Sequence, residues 1–450
     1  MKISGIVCEY NPFHNGHVYH IEQTRENGAT HIIAVMSGNY VQRGETAVMN
    51  KFERAQLAVK NGVDLVIEIP SVYSLASAEF YARGAVYLLN ALGCVDEISF
   101  GSEVGMLETL EEAADMVWEC EQSDKLEELL KSGMSYPNAI NNIILSEYGR
   151  KKGNRISDIL ESPNNVLAIE YLKALKYFKS DIKPFTIIRK SVAHDSMSPL
   201  GNTASASYIR NCMEENEDFS RFVPEMVYDA YNEAKSEGSI ASIKNLERIL
   251  IYRLRTISKE ELADVPDVGQ GLENRIAECS NLSSIEEIEQ AIKSKRYTMA
   301  RIRRIIYNIL IGITKSDLEI LPPYARVLAM NDRGREILAR SKETATIPVN
   351  TSLAKLADTS DEAKRFAEIE ARASDIYALA QEKIGKGQSD YKAMIKLETL
   401  EEERLREEAE LREDIDEAIE LIEEENPDVI AELEQEMLEE AMECENEDEV

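Results

Sequence analysis

Within the first hundred residues, short apolar runs alternate with helical patterns, and this alternation limits what the 450-residue chain can fold into more than any other feature. Strands separated by helices build a parallel sheet, because each connection must cross a sheet face before the next strand begins. The first run, Ile3–Cys8, is followed by helical spacing over 16–27. Runs at 31–36, 64–69 and 97–100 read as the next three strands, with helices at 52–60 and 76–92 between them. Leu65-Val66-Ile67 is apolar on both faces, as a strand covered by helices on each side requires. The expected fold class is α/β, a parallel-sheet domain followed by a mostly helical C-terminal region.

Beyond residue 100 the pattern is helical over 105–179, broken by the Ser162-Pro163-Asn164-Asn165 turn. A further strand is expected at 185–188, then a polar stretch over 191–203 and a short helix opening over 205–213. From 225 to 350 the spacing is mostly helical, with a loop at 265–270 and a Pro322-Pro323 break. A boundary near residue 220 separates an expected catalytic domain, 1–220, from a helical region, 221–397. The remainder, 398–450, is a Glu-rich tail holding 26 acidic residues against three arginines. That is −23 of the chain's net −32, which leaves −9 for the rest, so the acidity says little about the working surface. A charge run of this kind reads as a solubilising tail.

No run of about 18 uninterrupted apolar residues is present, so no membrane span is expected. The N-terminus lacks the charged and apolar regions of a signal peptide. Six cysteines with no CxxC pair fit neither a disulfide framework nor a zinc site, and a cytoplasmic location is the simplest expectation.

His14-Asn15-Gly16-His17 stands directly between the first strand and the helix that follows. A helix start offers N–H groups without helical partners and a partial positive charge, and a glycine lets a phosphate approach the backbone. Two imidazoles beside that glycine can donate hydrogen bonds to phosphate oxygens as charge builds at the α-phosphorus. Histidines that merely cap a turn are the plainer reading of such a string. Four of the five histidines (His14, His17, His20, His31) fall within 18 residues at the junction where α/β proteins bind nucleotides, which favours the phosphate reading. A zinc site would need a further partner at recognisable spacing, and none is evident. A second element, Ser205-Ala206-Ser207-Tyr208-Ile209-Arg210, places hydroxyls at a helix start and an arginine one turn on, suited to holding a departing pyrophosphate.

An early HxGH and a later SxSxIR resemble the HIGH-motif nucleotidylyltransferase superfamily, with its Rossmann-like nucleotidyltransferase domain. More closely, Gly5-Ile6-Val7-Cys8-Glu9-Tyr10-Asn11-Pro12-Phe13-His14-Asn15-Gly16-His17 is similar to the bacterial tRNA(Met) cytidine acetate ligase family. So are Met36-Ser37-Gly38-Asn39-Tyr40-Val41-Gln42-Arg43-Gly44-Glu45, Phe100-Gly101-Ser102-Glu103, Ser162-Pro163-Asn164-Asn165 and Gly271-Leu272-Glu273-Asn274-Arg275-Ile276. The likeness runs from residue 1 to about 400 and leaves the tail unmatched.

The resemblance implies a ligase that makes acetyl-adenylate from ATP and acetate, then passes the acetyl group to N4 of the wobble cytidine of elongator tRNA(Met). It implies ATP contacts from Val7, Cys8, Glu9, Tyr10, Asn11, Pro12, Phe13, His14, Asn15, Gly16, His17, Val18, Tyr19 and His20. Further contacts are implied from Gly101, Asn165 (or its neighbour Asn164) and Arg189. Ser205, Ser207 and Arg210 join them from the second element, and His14, His17 and Arg210 are the expected catalytic groups. Mg²⁺ would suit such chemistry, but no residue pattern specifies it.

The cations Lys293, Lys295, Arg296, Arg301, Arg303 and Arg304, with Tyr297 and Tyr307 between or beside them, are expected to meet tRNA through Lys293, Lys295, Arg296, Arg301 and Arg304. The same helix would turn Ile302, Ile305, Ile306 and Ile309 into the core. Arg43 and Lys51 are further candidates near the active site. Two other classes stay open on the residues alone. One is a small-molecule nucleotidylyltransferase, for which the long basic helical half is superfluous. The other is a nucleotide-regulated tRNA-binding protein, which would not need His14, His17 and Arg210 together.

Overall fold

Ile3–Cys8 (β1) is an inner strand of a seven-stranded sheet, with every residue but one buried. The computed structural model describes residues 1–189, 199, 201–269, 271–294 and 296–395. Lys295, most of the polar stretch 191–203 and the Glu-rich segment 398–450 lie outside the described residues.

His31–Ser37 (β2) runs parallel to β1. A short antiparallel pair follows, Tyr40–Val41 (β3) against Glu45–Thr46 (β4). Leu65–Ile69 (β5) adds to β2, Glu97–Ser102 (β6) lies on the other side of β1, and Lys183–Ile188 (β7) extends beyond it, all parallel. Ala325–Met330 (β8) then returns antiparallel to β5, and Val349–Asn350 (β9) closes the order β7-β6-β1-β2-β5-β8-β9. Neither β8 nor β9 is foreseen in the sequence, and both come from beyond residue 220, so the sheet draws on both sides of the boundary expected there.

Successive residues of the inner strands face opposite layers. Ile33, Val35, Leu65 and Ile67 enter one core, with Leu88 and Leu89 of the helix Ala78–Ala91. Ile32, Ala34, Met36 and Val66 enter the other, with Ile21 of the helix Asn15–Glu26 and Leu57 of the helix Lys51–Lys60. From β1 the chain moves outward to β2 and β5, then crosses back to lay β6 on the opposite side. That reversal opens a crevice at the carboxyl end of β1, where open α/β sheets take their ligands.

A buried knot of charge ties the C-terminal chain to this sheet. Lys51 Nζ lies 2.6 Å from Glu68 on β5 and 2.9 Å from Asp390, and Arg326 on β8 reaches Glu68 at 3.2 Å and Asp390 at 2.8 Å. All four side chains are at most 2% exposed. Lys51 is therefore an internal anchor and does not stand at the active site as the sequence suggested.

Candidate active site

At the end of β1, Tyr10 takes a positive φ of 46° and turns the chain into the loop that starts the helix Asn15–Glu26. His14 is the N-cap. Its Nδ1 accepts the Gly16 N–H at 3.0 Å, while His17 Nδ1 accepts the His14 N–H at 3.2 Å. The two imidazoles thus form a reciprocal cap of the kind Ser and Glu usually supply. A nitrogen that accepts a backbone N–H is unprotonated, so each neutral ring carries its proton on Nε2. The rings stack at 3.7 Å between centroids, and Tyr10 and Phe13 brace His17 at 4.8 and 5.4 Å. A Cβ at Gly16 would stand 2.8 Å from the His14 ring, which explains the glycine between the histidines.

Burial holds the His17 pKa well below the ordinary histidine value, with His14, Arg189 and His20 adding to the shift. His20 is pushed down to about 4 by burial and Arg189, its hydrogen bonding to Ser99 opposing them. Thr24 spends its hydroxyl proton on the His20 carbonyl, so Ser99 must donate to Thr24 and accept from His20 Nε2. His17 and His20 therefore stay neutral at neutral pH.

Below about pH 6.5 the unfolded chain takes up protons that the folded His17 and His20 refuse. Their contribution is therefore complete above about pH 6.5 and is lost as pH falls towards 4. The thermal midpoint of a His20→Asn variant is expected to fall less steeply than that of the parent over that window. Parallel curves would remove His20 from the effect.

A cavity of about 630 Å³ opens beside these rings. Val7, Cys8, Glu9, Tyr10, Asn11, His14, His17 and His20 line it, as do Gly101, Arg189, Ser205, Ser207 and Arg210 from the expected set. Pro12, Phe13, Asn15, Gly16, Val18 and Tyr19 do not line it. Phe13 is 1% exposed in the core, and Asn15 Nδ2 donates to the carbonyls of Asn202 and Arg221, fixing the loop from behind. Asn165 does not line the cavity either. It is buried, its Oδ1 accepts the N–H groups of Glu103 and Val104, and its Nδ2 donates to Ile159 O. Asn164, the expected alternative, does line the cavity, with Oδ1 accepting from Arg189 Nη1 at 3.0 Å.

Ser205 caps the helix Ala206–Glu215 by accepting the Tyr208 N–H at 3.1 Å. Arg210 on that helix donates to Asn11 O at 2.9 Å and meets Glu45 at 3.2 Å. The β3–β4 turn is drawn into the site as well. Val48 N–H donates to Asn11 Oδ1, Gln42 N–H donates to Glu9 Oε1 at 2.9 Å, and Arg54 donates to the carbonyls of Glu9, Ser37 and Gly38. Gly44, at φ 75°, allows the turn to press on the helix Met299–Ile311, where a Cβ would stand 2.5 Å from Arg304 N. Gln42, Arg43, Glu45, Tyr81, Tyr171, Pro137 and Thr298 also line the cavity. Of these only Arg43 is singled out by sequence; Tyr81 and Tyr171 sit on helix faces whose apolar neighbours read as core.

The basic cluster divides. Ile302, Ile305, Ile306 and Ile309 are buried as expected. Arg304 is buried too, paired with Asp267 at 3.1 Å and donating to Gln42 O, so its charge is spent inside the protein. Tyr297 and Tyr307 are 8% and 0% exposed, which leaves no face for a base. Lys293 is exposed, and Arg296 and Arg301 are half-buried. A second cavity of about 300 Å³ is lined by Arg296, Arg301 and Tyr136, beside the Pro137 and Thr298 that line the larger one.

Among the described residues no three His, Cys, Asp or Glu side chains stand together as a metal site, and no helix is long and apolar enough to cross a membrane.

The model of the HIGH nucleotidyl transferase family matches residues 1–392. A tRNA(Met) cytidine acetate ligase of Alkaliphilus metalliredigens is 38% identical over 414 residues, covering 87% of this chain and 97% of that protein. Another, of Thermoanaerobacter sp., is 41% identical over 393 residues, covering 84% and 96%. The crystal structure of Thermotoga maritima TmcAL in its apo form matches with a TM-score of 0.83 and 31% identity over 89% of this chain and 100% of that one. The same protein bound with alpha-thio ATP matches at a TM-score of 0.81, with the same identity and coverage.

Proposed function

Because the chain belongs to the tRNA(Met) cytidine acetate ligase family of HIGH nucleotidyl transferases, we propose that it activates acetate with ATP and transfers the acetyl group to N4 of the wobble cytidine of elongator tRNA(Met). The observation that carries this reading is the imidazole pair capping a helix at the switch point of the sheet, beside a cavity of about 630 Å³ that Arg189 and Arg210 also line.

Acetate is a poor acyl donor until one oxygen is joined to a good leaving group. Attack of an acetate oxygen on the α-phosphorus forms the C–O–P anhydride and breaks the bond to pyrophosphate. With Nδ1 fixed on the backbone, the Nε2–H groups of His14 and His17 serve as neutral donors to the phosphate oxygens. Neutral rings suit this work because they need not lose a proton to remain in place. Arg189 and Arg210 offset the charge of the triphosphate and of the leaving pyrophosphate. A Mg²⁺ accompanying the triphosphate would add to that charge compensation. Acetate-dependent exchange of labelled pyrophosphate into ATP tests the first half-reaction. Exchange that ignores acetate would contradict it.

For the tRNA we propose contacts from Lys293, Arg296 and Arg301, with the second cavity beside the larger one receiving part of the backbone. Lys295 stays in the proposed set by its neighbours' placement in sequence. Replacing Lys293 and Arg301 by glutamate is expected to weaken tRNA binding at least tenfold at low salt and to flatten its salt dependence. Unchanged affinity would remove this face from the interface.

A further inference from the structure

The cavity must accept three anions, ATP, acetate and pyrophosphate, yet a carboxylate stands at its base. Glu9 follows β1 directly and precedes the first capping imidazole by five residues. Its Oε1 is fixed by the Gln42 N–H at 2.9 Å, and its backbone carbonyl is held by Arg54. Of the other carboxylates on the wall, Glu45 is paired with both Arg210 and Arg303, and Glu161 is exposed at the end of the helix Tyr136–Leu160. Glu9 makes no ion pair among the described residues, so one of its oxygens is committed to a backbone N–H and the other is available to a reactant.

An acidic group in an anion site weakens anion binding unless some reactant brings an N–H to it. The exocyclic amine of the acceptor cytosine does. Its lone pair is delocalised into the ring, so it attacks a carbonyl effectively only as a proton is withdrawn from it. Resting on the ligase reading above, we propose that Glu9 is the general base of acetyl transfer, accepting the proton of the cytosine N4 amine as that nitrogen attacks the acetyl carbonyl. The N4–C bond forms, the C–O bond to the phosphate of AMP breaks, AMP leaves with that electron pair, and the N4 proton ends on the Glu9 carboxylate. His20 is unsuited to this role, since its Nε2 proton is committed to Ser99 and its ring resists protonation.

The surroundings agree with this. Burial raises the Glu9 pKa, the Gln42 N–H, Arg210 and Arg43 oppose the rise, and Glu45 adds to it. Tyr81, Tyr171 and Cys8 also face Glu9, and each is kept neutral by burial. A carboxyl with its pKa moved towards working pH is a better proton acceptor than a fully solvated one.

The test separates the two half-reactions in the full-length protein. Acetyl-adenylate is supplied with elongator tRNA(Met), single-turnover transfer is followed across pH, and acetate-dependent ATP–pyrophosphate exchange is measured beside it. Glu9→Gln is expected to slow transfer by roughly 10² to 10⁴-fold, and at least thirtyfold more than it slows exchange. It should also flatten the rise of transfer rate with pH, and Glu9→Asp should restore part of both. Equal losses in the two half-reactions would overturn the assignment, pointing to contact with ATP or to folding, as would an unaltered pH profile. A parent protein that exchanges pyrophosphate but transfers nothing to tRNA would overturn the ligase reading itself, and the base with it.

Discussion

Asp390→Ala is expected to lower the free energy of unfolding by about 3–5 kcal/mol, because it leaves two buried cations to share the single carboxylate of Glu68. Lys51 and Arg326 are each 1% exposed and each lies within 3 Å of the Asp390 carboxylate. Glu68 alone would have to balance both. The aspartate comes from the far end of the described chain, whereas Lys51 and Arg326 belong to the helix and strand packed on β5. Loss of the carboxylate should therefore loosen the C-terminal segment from the sheet as well as destabilise the fold. Urea unfolding checks the size of the effect. Removing an exposed pair such as Lys125 with Glu147 should cost under about 1 kcal/mol and serves as the comparison. A similar small change for Asp390→Ala would show that the knot is solvated.

Removal of either capping imidazole should cost far more in rate than in stability. His17→Ala deletes a donor that the proposed reaction directs at the phosphate, and the loss of one such donor typically costs 10² to 10³-fold in rate. The helix cap lost with it is worth only about 1 kcal/mol. His14→Asn is the sharper variant. Asparagine is a favoured N-cap, so the bond to the Gly16 N–H can be kept while the Nε2–H is lost. It should retain the parent's thermal midpoint and its affinity for tRNA, while acetate-dependent exchange falls by two orders of magnitude or more. A parallel loss of midpoint and exchange would mean that the ring serves folding alone.

The central strands and the loop after β1 are legible in the sequence because periodicity and a short motif are local signals. Four strands alternating with helices announce a parallel sheet, and HxGH at a strand-to-helix junction announces a phosphate site. What escapes is set by distant partners. Ala325–Met330 is a short apolar run inside a helical stretch, and such a run does not reveal whether it is strand or helix until β5 is there to receive it. Arg304 looks like its neighbour Arg301 on a basic helix, yet Asp267, 37 residues away, draws it inward. Lys51 reads as an active-site cation because it follows a motif, whereas its partners lie at 68 and 390. Asn164 and Asn165 are indistinguishable as letters, and only the direction of the helix start decides which amide faces the cavity. Glu9 lies within the recognised segment, but its meaning depends on Gln42 fixing one oxygen and on the pairing of Glu45 elsewhere.

The most direct measurement is the fate of labelled acetate when the protein is given ATP and elongator tRNA(Met). Digestion of the RNA should yield labelled N4-acetylcytidine from the wobble position, formed only when ATP and acetate are both present. Label entering the tRNA from acetyl-CoA alone, or no label entering it at all, would contradict the acetate ligase reading.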